Sequence, residues 1–129
     1  MTANAAEARS GKPTEAAPSR SVDPELAAEA DREARAMQAQ LPIRVDRITT
    51  VNAIRAENAD IVYELTIEQD IPEDRIDQAR GLMQTQNQRN LCGNPLVRDF
   101  VSRGGAMSHH YTDKVGHRFS TRVSSCTAG

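Results

Sequence analysis

Residues 61 to 68 alternate cleanly, with Ile61, Tyr63, Leu65 and Ile67 set against Val62, Glu64, Thr66 and Glu68. A period of two places the first set on one face of an extended strand, so this stretch commits the chain to a sheet with one buried side. Upstream, the β-branched run Ile43, Val45, Ile48, Thr49, Thr50, Val51 and Ile54 predicts a partner strand. Its parity shifts near Arg47, where a bulge would restore the alternation. Ala56 to Asp60 is polar and predicts the turn of a first hairpin. A second hairpin is expected downstream: Met107, His109 and Tyr111 alternate, Asp113 to Gly116 supplies the turn, and Phe119, Thr121 and Val123 lead to Cys126.

Helical signals fill the gaps. Asp23 is a capping residue with Pro24 at the first helical position and Glu25 in the first turn, predicting a helix to about Gln40 that Pro42 ends. Its apolar positions are mostly alanines, with Leu26 and Met37 the only large ones, so it is expected to dock weakly or lie on the surface. Pro72, Glu73 and Asp74 open a second helix carrying Ile76, Ala79, Met83 and Gln86 or Asn87 at helical spacing, with Leu82 widening the apolar face, and fading near Asn90. Asn94 and Pro95 start a third, with Leu96, Val97, Phe100 and Val101 as its buried stripe and Gly104 and Gly105 as its end. The order α-β-β-α-α-β-β predicts an α+β fold, a small four-stranded antiparallel or mixed sheet with helices packed on one face.

The chain has 129 residues, but residues 1–22 hold hardly a large apolar side chain, so ordering them would cost entropy without burial. They are expected to form a disordered tail or tether, with residues 23–129 as a single domain. Tryptophan is absent and Tyr63, Phe100, Tyr111 and Phe119 are the only large rings, which leaves a modest core of Ile, Val, Leu and Met. The formal charge is −2, with both signs interspersed, and no basic stripe carries stacking aromatics, which argues against nucleic acid as a partner. No apolar run is long enough for a membrane span, and no basic-then-apolar leader opens the sequence.

The two cysteines, Cys92 and Cys126, fall at the boundaries of one compact unit, ahead of the third helix and at the end of the last strand. A bridge between them would pin helix to hairpin and stabilise the fold by about 4 kcal/mol on the chain-entropy model, and would place the protein in an oxidising compartment. The alternative is two thiols in a cytoplasmic protein. There, His109, His117, Cys92 and Cys126, with His110 or Asp113 nearby, form the only conceivable zinc set. His109 and His117 could face each other across the hairpin, but adjacent His109 and His110 point to opposite faces, and the spacing matches no compact zinc motif. No nucleophile elbow, phosphate loop or dinucleotide fingerprint occurs, and Glu64, Glu68 and Asp70 have the pattern of a solvated strand face. No catalysis and no cofactor are expected; a small hydrolase relying on His109 or His117 is the lesser alternative.

Cys92, Gly93, Asn94, Pro95, Leu96, Val97 and Arg98, then Gly104 and Gly105, Tyr111 to Asp113, Gly116 and Cys126 resemble a pattern of small exported proteins of Gram-negative bacteria. Leu41 and Pro42, Asp46, Thr49 or Thr50, and Val62 with Tyr63 resemble that group's first hairpin, and the likeness runs over residues 35–126. The group's paired cysteines fall on Cys92 and Cys126. In the order of its elements the chain also resembles type II secretion pilotins, small lipoproteins that bind a helical tail of an outer-membrane secretin. The resemblance implies a periplasmic or exported accessory or adaptor protein that binds an envelope or secretion component. The absence of a leader from the sequence leaves a cytoplasmic alternative.

Overall fold

The computed structural model describes residues 23–126. The tail or tether expected over residues 1–22 lies outside them, as do the last three residues of the expected domain. The elements in order are α1 (Pro24–Gln38), β1 (Ile43–Arg44), β2 (Thr49–Glu57), β3 (Asp60–Ile67), a single 3-10 turn (Glu73–Arg75), α2 (Ile76–Cys92), α3 (Pro95–Ser102), β4 (Ala106–Thr112) and β5 (Arg118–Val123).

The sheet has five strands in the spatial order β1-β2-β3-β4-β5. All neighbours are antiparallel except β3 and β4, whose long connection through α2 and α3 returns the chain in the same direction. The expected fold class holds, but four strands become five. The run read as one strand from Ile43 is two: β1 pairs only Ile43 with Val51 and Arg44 with Thr50, and the chain turns back between them. Asp46 makes that turn, its carboxylate accepting from Ile48 N at 2.9 Å, so the parity shift near Arg47 marks a reversal. The bulge falls instead between Val51 and Ala53.

The inner face collects Val51, Ile54, Ile61, Leu65, Met107, Tyr111 and Phe119, and all three helices pack on that side. Asp23 caps α1, its Oδ1 accepting from Glu25 N at 2.9 Å. Leu26, Ala30 and Ala34, spaced by four, are all at most 2 % exposed. The weak docking expected of α1 is therefore corrected: alanine's small size is what lets the helix backbone approach β2 and β3 closely.

Helix α2 buries no residue fully, because it lies along the free edge of β5. Gln84 Nε2 donates to Arg122 O at 2.8 Å while Arg122 N donates to Gln84 Oε1 at 3.0 Å, a side-chain amide standing in for a neighbouring strand. Asn87 Nδ2 donates to Tyr111 Oη at 2.8 Å and Thr121 Oγ1 at 3.0 Å, and Gln88 donates to Ser125 O. The Cys92–Cys126 disulfide, with Cα atoms 5.5 Å apart, ends this ladder. An edge that would otherwise invite strand pairing is thereby closed.

Candidate functional site

Helices α1 and α3 do not meet over the sheet, and the gap between them is a groove of about 400 Å³. Its floor is Ile61, Tyr63 and Met107 from the strands, with Met37 from α1 and Leu91 from the end of α2. Leu96, Val97 and Phe100 of α3 form the far wall. The buried stripe expected of α3 holds for Phe100 and Val101, but Leu96 is 81 % exposed at the groove's rim. Asn94 Oδ1 caps the helix, accepting from Leu96 N at 2.9 Å, and at about 100° per residue Leu96 falls at one edge of the arc made by Phe100, Val97 and Val101.

The turn after α3 fixes the groove's width. Gly104 has φ +110°, and a Cβ on Gly105 would run into the Phe100 ring, so only glycine allows β4 to start this close to α3. Arg103 then closes one end, its guanidinium donating to Glu29 Oε1 and Oε2 at 3.0 and 2.9 Å and to Asp99 Oδ2 at 3.0 Å. Those bonds hold the Glu29 carboxyl below its usual range and raise the Arg103 guanidinium. Glu33, one turn along α1 from Glu29, also lines the rim, which is acidic on balance.

From the floor a row of stacked rings runs across the inner face of the sheet. Tyr63 and His109, register partners on the parallel pair, stack at 4.7 Å with planes 7° apart. His109 continues to Tyr111 at 6.3 Å, and Tyr111 to Phe119 at 4.8 Å. Burial, with Glu33 adding to it, pushes the Tyr63 hydroxyl up to about 12, and that hydroxyl meets Met37 Sδ at 3.8 Å. Burial and then His110 push the His109 imidazole down to about 4, and its buried Nδ1 has no hydrogen-bond partner among the described residues. The imidazole is thus a neutral, flat spacer between the groove and the α2 anchor.

The residues singled out from sequence scatter. His109 pairs with Thr121 in the register, so it does not face His117. His110 is on the opposite sheet face, its Nδ1 3.8 Å from Glu64 Oε2. His117 sits in the β4–β5 turn, its Nδ1 2.9 Å from Asp113. Asp113 is more than a turn residue: its buried carboxylate also accepts from the backbone of Ile71, Val115 and His117, tying the hairpin to the segment before α2. Burial pushes that carboxyl up, but these donors outweigh it and hold it near 2. With both cysteines in the disulfide and the histidines on separate faces, the alternative set of His109, His117, Cys92 and Cys126 is not assembled. No group of three potential metal ligands occurs among the described residues.

The outer sheet face holds a second depression of about 490 Å³, lined by Glu64, His110, Thr112, Arg118 and Ser120 side chains. It is polar, and Glu64 is already tied to Arg55 at 2.7 Å, so it lacks the apolar surface from which binding free energy would come. Glu68 is exposed and 3.8 Å from Arg44, consistent with a solvated carboxylate. The pilotin resemblance implies an apolar groove beside the sheet, but its lining residues are not legible in the sequence, because its walls come from elements whose adjacency depends on β3 and β4 pairing in parallel.

No protein-family model matches the sequence, and no curated relative does. Solved structures do share its fold. The pilotin EpsS of the Vibrio vulnificus type 2 secretion system superposes with a TM-score of 0.68 at 17 % identity, over 81 % of this chain and 94 % of that one. A protein of Pseudomonas aeruginosa classed as secreted gives 0.63 at 15 %, over 77 % and 88 %. The type II pilotin AspS of Vibrio cholerae gives 0.61 at 14 %, over 79 % and 90 %. The chain has the fold of the type II secretion pilotins.

Proposed function

We propose that this chain is a non-catalytic, pilotin-like accessory protein of the Gram-negative cell envelope that works by holding an amphipathic helix in the α1–α3 groove. The groove itself carries the reading: an apolar floor with a leucine exposed at its rim is the surface a helix binds with side chains at i, i+3, i+4 and i+7. The acidic rim favours a helix whose apolar stripe is flanked by lysine or arginine. A disulfide that spans the last helix pair and hairpin supports an oxidising, exported setting. The partner implied by the pilotin resemblance is the helical tail of a secretin.

The test is calorimetric titration of the protein with a synthetic secretin-tail peptide. Leu96→Asp and Val97→Asp are expected to weaken binding by roughly tenfold or more, since each puts an unpaired charge into an apolar contact. His110→Ala on the opposite face should leave it unchanged. Equal loss from all three, or no binding by the wild type, would refute the assignment.

A further inference from the structure

Among the groove's side chains, Met37 carries a chemistry that the docking role does not use. It occupies the last turn of α1, is only partly buried, and its thioether lines the open groove. Met107, the other methionine lining the groove, is 6 % exposed, and Met83, partly buried like Met37, packs against the core from α2, outside the groove lining. The Tyr63 hydroxyl meets the Met37 sulfur at 3.8 Å, and its proton is held tightly because burial and Glu33 disfavour the phenolate.

We propose that Met37 is an oxidation site whose sulfoxide is held by Tyr63, so that a hydroperoxide oxidant converts the groove from an apolar to a polar surface. A thioether lone pair attacks one oxygen of hydrogen peroxide, the S–O bond forms as the O–O bond breaks, and the transferred oxygen gives up its proton to the displaced hydroxide, which leaves as water. The methionine loses two electrons and the peroxide gains them. The sulfoxide oxygen is a far stronger acceptor than the sulfur, and it projects from an atom the phenol already approaches. Oxidation therefore replaces a weak O–H···S contact with a strong O–H···O one and fixes a polar group on the groove floor. The effect on partner binding rests on the function proposed above; the formation and capture of the sulfoxide do not.

The experiment treats the full chain with hydrogen peroxide, quenches at intervals and maps sulfoxides by peptide mass spectrometry. Met37 is expected to oxidise at least about fivefold faster than the buried Met107, following its access to solvent. Oxidation of Met37 is further expected to lower the melting temperature more in Tyr63→Phe than in the wild type, because the variant cannot donate to the new oxygen. Equal or faster oxidation of Met107 would overturn the site, and equal thermal losses would overturn the role of Tyr63. If both hold, the secretin-tail peptide should bind the peroxide-treated wild type several-fold more weakly, while Met37→Leu keeps its affinity after the same treatment. Unchanged peptide binding with Met37 oxidised would remove the effect on docking and leave the modification standing.

Discussion

The stacked imidazole beside the groove makes a quantitative demand on stability. His109 is held near 4 by burial, whereas in the unfolded chain it titrates near its ordinary value of 6.5. A base whose folded value is depressed contributes stability that is fully present above the unfolded value and lost as pH falls toward the folded one. Between pH 8 and pH 4.5 the unfolded chain takes up a proton that the folded chain refuses, which amounts to about 2.5 kcal/mol from this residue alone. The perturbation is His109→Phe, which keeps a flat ring between Tyr63 and Tyr111 and removes both the titration and the unpaired Nδ1. Urea unfolding of both proteins at the two pH values measures the effect. With an m-value of roughly 1.2 kcal/mol/M, the wild-type midpoint should fall by about 2 M more than the variant's. Parallel midpoints in the two proteins would refute the buried, neutral imidazole.

Three further outcomes follow from the packing. Cys92→Ala with Cys126→Ala opens a loop whose ends are 34 residues apart and is expected to lower unfolding free energy by about 4 kcal/mol, read by denaturant titration without reductant; a loss under about 1 kcal/mol would contradict the anchoring role. Asn87→Ala leaves the Tyr111 and Thr121 hydroxyls without their donor and should cost about 1–3 kcal/mol in the same assay. Gly81 lies within α2 with nothing inside 4 Å of a built Cβ, so Gly81→Ala should raise stability by about 1 kcal/mol, seen as a higher melting temperature.

Local chemistry was legible where one stretch of chain decides it. Asp23 and Asn94 cap their helices, Phe119, Thr121 and Val123 face inward, and Cys92 meets Cys126, because capping, strand parity and the cysteine positions are written in neighbouring or unique residues. What failed depended on distant partners. The alanine face of α1 offers little side-chain area in the sequence, and only the fold reveals the close backbone approach that small residues allow. The strand from Ile43 split because two residues suffice to pair with β2, and no apolar pattern marks so short an element. Leu96 belongs to the helical stripe by spacing, yet it lies at the edge of that stripe and the buried arc of α3 stops short of it.

The same limit explains the site. Tyr63 and His109 were each assigned to an alternating strand, but their stacking requires β3 and β4 to be parallel neighbours in a particular register. That register is set by the α2–α3 crossover and the glycine pair before β4. The groove between α1 and α3 appears only once both are in place.

The most direct test of the account is an NMR titration of isotope-labelled protein with the secretin-tail helix. Binding in the groove predicts saturable shifts at Tyr63, Leu91, Leu96 and Val97, with Glu64, His110 and Arg118 on the outer face unmoved. Shifts centred on that outer face, or none at millimolar peptide, would contradict it.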